Sequence, residues 1–175
     1  MDHKNVMQEV IISKVVINIG TGSNDQMQLG ARKLIETITG RKPADELSRT
    51  RNPSFRIAKG QKIGAFVTVR GEDAKRLAKR LFDAVDNKVK LESVTSNSLS
   101  FGIPEYIDIS GVKYDPSVGM LGMNVNVSFK RRGIRVAQKK IKRAKIPARH
   151  RMVTREEILD YIKDEFNVKQ IEQVS

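Results

Sequence analysis

Met123-Asn124-Val125-Asn126-Val127-Ser128-Phe129-Lys130 alternates apolar and polar residues without a break. A period of two puts Met123, Val125, Val127 and Phe129 on one face of a strand and Asn124, Asn126, Ser128 and Lys130 on the other. Such a strand belongs to a sheet with one face in a core and one face open. The same pattern is found toward the N-terminus. Residues Val10 to Ile19 are rich in β-branched side chains, with Val15, Ile17 and Ile19 alternating with Val16 and Asn18. Ile63 to Arg70 repeats it, setting Ala65, Val67 and Val69 against Phe66, Thr68 and Arg70.

Helices fill the gaps. Gly20 and Gly22 close the first strand, and Ser23, Asn24 or Asp25 can cap a helix with Met27, Ala31, Leu34, Ile35 and Ile38 on its apolar face, ended by Gly40. Glu72 and Asp73 favour the start of a second helix, whose stripe is Ala74, Leu77, Ala78, Leu81, Phe82 and Val85. Its Lys75, Arg76, Lys79 and Arg80 read as a solvated face. Thr154 with Glu157 forms a capping box that opens a last helix carrying Ile158, Leu159, Ile162 and Phe166. Between these, Leu47 to Lys62 reads as a basic, partly mobile loop, with Asn52-Pro53 and Gly60 interrupting it. Short apolar pieces from Ser98 to Ile109 and a loop around Lys113-Tyr114-Asp115-Pro116 complete the chain. Strands come in runs with few helices between them. The expected fold class is therefore α+β: a mainly antiparallel sheet with helices packed on one face, plus a basic C-terminal segment.

Charge separates the function classes. Lysine and arginine total 33 against 20 acidic residues in 175, a formal net charge of +13. From Lys130 to Arg155 there are twelve basic residues and no acidic one, leaving 21 against 20 elsewhere. Charges so concentrated repel one another unless phosphates neutralise them, which points to nucleic acid. Ile141, Ile146 and Val153 are too sparse for an amphipathic membrane face. No apolar run has the length of a membrane span, and Asp2 and Glu9 do not fit a signal peptide, so a cytoplasmic protein with no membrane partner is expected. Cysteine is absent, and His3 and His150 are the only histidines, too little for a metal centre or a catalytic triad. No enzyme activity and no cofactor are expected. The expected divisions are 1–129 as an α+β nucleic-acid-binding core, 130–155 as a basic nucleic-acid-binding segment and 156–175 as a C-terminal helix and tail.

Two smaller features have competing readings. Gly20-Thr21-Gly22, between a strand and a helix, has the form of a dinucleotide-binding turn, but Asp25 stands where a third glycine belongs and would repel a phosphate. A turn needing positive φ explains both glycines as well. Asn18 and Thr68, on the polar faces of their strands, are either plain solvent-facing residues or short hydrogen-bonding groups suited to an irregular RNA surface. Aromatic residues are few, so base stacking on an aromatic sheet is not the expected mode.

A family resemblance adds to this. Lys14-Val15-Val16-Ile17-Asn18-Ile19-Gly20-Thr21-Gly22, Leu34 to Pro43, Ile63-Gly64 and Val67-Thr68-Val69-Arg70-Gly71 resemble the 5S-rRNA-binding ribosomal-protein-five family of the large subunit. Phe101-Gly102-Ile103-Pro104-Glu105, Gly111 to Pro116, Gly119 to Met123 and the basic run near the C-terminus are similar to its archaeal and eukaryotic branch. The resemblance implies a seat in the central protuberance, with 5S rRNA, large-subunit rRNA and neighbouring ribosomal proteins as partners. It implies 5S rRNA contact at Asn18, Thr68 and Arg41, the last standing where the family has glutamine, which shifts that contact toward phosphate. It also implies that the Arg49 to Lys62 loop reaches toward P-site tRNA and a small-subunit bridge protein. The expected RNA-binding set is thus Asn18, Gly20, Gly22, Arg41, Lys42 and Thr68; the loop residues Arg49, Arg51, Arg56, Lys59 and Lys62; and Arg131, Arg132, Arg135, Lys139, Lys140, Lys142, Arg143, Lys145 and Arg149 in the basic segment. The alternatives are a free nucleic-acid-binding chaperone and a nucleotide-binding enzyme.

Overall fold

A computed structural model describes residues 5–171; Asp2, His3 and the tail beyond residue 171 lie outside the described residues. The strands are β1 (Val10–Gly20), β2 (Ala44–Leu47), β3 (Lys62–Val69), β4 (Lys88–Lys90), β5 (Val94–Thr95), β6 (Ser98–Ile103), β7 (Met123–Arg131) and β8 (Lys169–Ile171). The helices are α1 (Asp25–Thr39), α2 (Glu72–Asp83), α3 (Arg135–Gln138), α4 (Ala148–Arg151) and α5 (Arg155–Phe166). Six strands form one sheet in the order β2-β3-β1-β7-β6-β5, antiparallel at every pairing, and β4 pairs parallel with β8 beside it. The fold is the α+β class that the alternation and the grouping of strands imply.

Register explains which face is buried. Val15 pairs with Val69 and Val127, Ile17 with Val67 and Val125, and Leu99 with Val127, so one face of the central strands is wholly apolar. Onto it pack Leu34, Ile35 and Ile38 of α1, Leu77, Leu81 and Phe82 of α2, and Ile158 and Ile162 of α5, all in one buried cluster. Phe82 stacks on Phe101 with ring centroids 5.1 Å apart and meets Phe166 at the same distance, joining α2, β6 and α5. The helix ends follow the sequence signals. Asn24 caps α1 by accepting from the Gln26 and Met27 amides, Gly40 ends it at φ 65, and the Thr154–Glu157 capping box opens α5.

Three expectations need correction. Met27, expected on the apolar face of α1, is 37% exposed, while Gln28 is only 5% exposed. The helix is turned to deliver Gln28 to partners on other elements: its Nε2 donates to the Gly64 carbonyl at 2.8 Å and to Asp45 at 3.2 Å, and its Oε1 accepts from the Thr21 hydroxyl at 2.8 Å. Gly20 does not need a positive φ; it closes β1 opposite Gly64, and Gly22 alone in that turn has one, at 62°. The Leu47 to Lys62 stretch is not an open loop but a folded hairpin extension, closed by backbone hydrogen bonds between Ser48 and Gln61 and between Asn52 and Ile57. The stretch from Lys130 to Arg155 carries β7 on by two residues and sets Val153 and Ala137 in the buried set.

Candidate RNA interface

The side of the sheet away from the helices presents the alternate residues of each strand. Asn18 lies opposite Phe66 on one side and Asn124 on the other, Thr68 lies opposite Val16, and Val16 opposite Asn126. The row continues outward, since Gly102 pairs with Asn124, Ser100 with Asn126 and Ser98 with Ser128. Lys14 opposite Ser128, and Lys130 two residues on, place positive charge at one end. Strands β1, β3, β6 and β7 contain no acidic residue. The acids of β2 are Asp45 and Glu46, and Asp45 is held below the usual carboxylate range by the Lys62 ammonium at 3.0 Å and by Arg32.

Near Asn18 the sheet opens into a groove of about 670 Å³, lined among others by Lys88, Lys90, Ser93, Ser100, Asn124 and Asn126. The Oδ1 of Asn18 is buried there and has no hydrogen-bond partner among the described residues. A buried acceptor without a donor is costly unless a ligand supplies one. A sheet face of short amides and hydroxyls, with lysines at its margin and no carboxylate on its central strands, has the chemistry to meet ribose hydroxyls, phosphates and base edges.

The remaining expected residues fall in different places. The Thr21 and Gly22 amides both donate to the Ile63 carbonyl, at 2.9 and 3.1 Å, so the turn has no free amides there to cradle a pyrophosphate. Arg41 reaches helix α2, not the open face, pairing with Asp73 at 2.8 Å, and Lys42 is exposed. Arg49, Arg51, Arg56 and Lys59 are exposed on the hairpin extension, whereas Lys62 pairs with Asp45 at its base. Arg131 is turned inward: 12% exposed, it makes a two-pronged bond to Glu157 of α5 at 2.8 and 2.9 Å and also donates to the Met152 and Gln8 carbonyls. Arg132 pairs with Glu9 at 3.1 Å. Arg135, Lys139, Lys140, Lys142, Arg143, Lys145 and Arg149 are exposed, and none has a carboxylate partner among the described residues. Arg135, Lys139 and Lys140 line a cleft of about 640 Å³ with Lys130.

The sequence reading missed Asn124, Asn126, Ser100, Lys88 and Lys90 as members of this surface. Asn124 and Asn126 were visible as the polar side of the clearest strand; their position beside Asn18 depends on the β1–β7 pairing, which spans more than a hundred residues.

Comparison with known proteins gives the chain a family. The family described as ribosomal protein L5 matches residues 5–57, and the C-terminus of the same ribosomal family matches residues 62–161. A large ribosomal subunit protein uL5 from Methanosphaera stadtmanae is 42% identical over 165 residues, covering 94% of this chain and 98% of its own. The chain belongs to the ribosomal protein L5 family. The uL5 of Nanoarchaeum equitans, 40% identical over 97% of this chain and 99% of its own, and that of Archaeoglobus fulgidus, 42% identical over 91% and 89%, place it in the archaeal-type branch of the L5 family. Members of the L5 family are structural proteins and not enzymes, so the dinucleotide reading of Gly20-Thr21-Gly22 falls away on both chemistry and kinship.

Proposed function

We propose that this chain is a structural constituent of the large ribosomal subunit, in the cytoplasm, that binds 5S rRNA across the open sheet face and anchors to large-subunit rRNA through the exposed basic residues from Arg135 to Arg149. The observation that carries the reading is the acid-free set of central strands, with Asn18 and Thr68 on the same open face and an unsatisfied acceptor at Asn18. Lysine and arginine contacts release condensed counterions, so affinity for 5S rRNA is expected to fall steeply as salt rises. A salt titration of 5S rRNA binding tests this, and an isotherm indifferent to salt would argue against it. Co-sedimentation with large subunits in high salt separates an assembled subunit protein from a free RNA chaperone. Arg131, committed to Glu157, is left out of the contacting set, and Arg132 and Arg41 contribute there only if their partners release them. The hairpin extension, on which Arg49, Arg51, Arg56 and Lys59 are exposed, suits a further contact with P-site tRNA and a small-subunit bridge protein.

A further inference from the structure

We infer that the C-terminal strand β8 belongs to the RNA site, where it sets Lys169 beside Lys88 and Lys90 of β4 as a three-lysine grip on the phosphates of an RNA strand lying along the Asn18 groove. β4 has no place in the six-stranded sheet, and β8 is the one strand it pairs with among the described residues. The turn into β4 is sharp, with Asp86 and Asn87 both left-handed, at φ 54 and 56. β8 then fastens it. The Lys169 amide donates to the Asn87 carbonyl at 2.7 Å, and the parallel register sets Lys88 against Lys169 and Lys90 against Ile171. β8 is itself rooted in the core. Phe166 and Val168 are buried, Phe166 meets Phe82 of α2 with ring centroids 5.1 Å apart, and Asn167, at φ 52, turns the chain from α5 into β8.

Three lysines come together on this small sheet. Lys88, Lys90 and Lys169 are exposed, whereas Val89, between the first two, is buried. Strand geometry puts the backbone at Lys88 and at Lys90 roughly 6.6 Å apart, and that at Lys169 about 4.8 Å across from Lys88. Like charges set opposite one another destabilise a sheet, parallel pairs are the weaker kind, and two strands alone are marginal. No carboxylate pairs with Lys90 or Lys169 among the described residues, and Lys88 has only Asp86, at 3.4 Å, whose side chain is 82% exposed. An anion laid across the three relieves that repulsion. The groove selects the anion. Lys88 and Lys90 line it together with Asn18, and no acidic residue is in its lining. Asn18 Oδ1 is a buried acceptor short of a donor there, which a ribose hydroxyl or a base amine supplies. A nucleic-acid chain carries that donor and a phosphate in one repeating unit.

This inference rests on the reading of the open sheet face as RNA-binding, and the variants separate the two. Affinity for 5S rRNA is measured over a range of salt for the parent, Asn18→Ala, Lys169→Gln, a Lys79→Gln control on the exposed side of α2, and a chain ended after Val168. Circular dichroism melting checks the fold of each. Lys169→Gln keeps the backbone of β8 and should bind on the order of fivefold more weakly, with a log–log salt slope shallower by about 0.7–1, as one lost phosphate contact requires. Lys79→Gln should match the parent. Ending the chain after Val168 keeps both buried anchors but frees β4, so it should keep the melt and weaken binding further than Lys169→Gln does. Should the shortened chain unfold, Lys169→Gln still decides in the full chain. If Lys169→Gln has the parent's affinity and slope, or loses no more than Lys79→Gln, the grip is wrong; Asn18→Ala weakened in the same series would leave the sheet reading standing. A folded, shortened chain that binds as the parent does overturns the inference as well. If the parent binds no 5S rRNA, the RNA-binding function itself fails, and this inference with it.

Discussion

Gly64 sits where β3 presses against β1, and a Cβ built there would lie 2.6 Å from the Ile19 carbonyl oxygen. Backbone has no rotamer by which to yield, so Gly64→Ala is expected to destabilise the fold by about 2 kcal/mol or more, read from urea unfolding. The same carbonyl neighbourhood is tied by Gln28, whose replacement by leucine leaves the Gly64 carbonyl and the Thr21 hydroxyl short of a partner; a loss of about 1–3 kcal/mol is expected. Neither residue could be read correctly from the sequence. Periodicity assigns a glutamine beside Met27 to solvent, because the groups that make it a core residue lie 36 and 17 positions away. Asn18 and Thr68 were legible, since strict alternation fixes the face of a strand even when its neighbours are unknown. Alanine at either should weaken 5S rRNA binding by about 1 kcal/mol or more while leaving the unfolding midpoint nearly unchanged. A filter-binding series on the two variants beside the parent, with a urea melt of each, checks both halves of that expectation.

Helix α5 shows what an element gains from its ends. Thr154 accepts from the Glu157 amide, Glu157 accepts from the Thr154 amide at 3.0 Å, and the same carboxylate grips Arg131 on β7. Partial burial works to raise the Glu157 pKa, but the Thr154 amide and Arg131 outweigh it, and the net direction is down from the ordinary 4.5. A depressed carboxylate contributes its stability above its unfolded pKa and loses it as pH falls through the folded value. The docking of α5 should therefore be complete at neutral pH and weaken progressively below about pH 4.5. The acid limb of a stability–pH curve should be shallower in Glu157→Gln than in the parent; equal limbs would show that other carboxylates govern it. The capping box itself was readable, because it is a local motif of four residues. The clasp to Arg131 was not, since a run of basic residues gives no sign of which one is needed indoors.

At the level of the whole molecule, charge and core are laid out on separate tracks. Residues from Arg135 to Arg149 place one side chain, Ala137, in the buried set, while seven of their side chains are exposed cations with no carboxylate partner among the described residues. Reversing Lys139, Lys140, Lys142 and Arg143 to glutamate removes two charges at each position, taking the formal net charge from +13 to +5. Circular dichroism melting should show the fold kept, and slightly stabilised where like charges no longer repel, while incorporation into large subunits drops sharply. An unfolded variant would make the segment structural; normal assembly would leave anchoring to the sheet face and the hairpin. The sheet's order carries a further consequence, one of timing. β1 finds its main partner in β7, which begins 103 residues after β1 ends, and α5 closes the core only after that. During synthesis one edge of β1, and the part of its apolar face that α5 covers, stay open until most of the chain has emerged. A protein destined for the ribosome must therefore be nearly finished by one before it can close on itself.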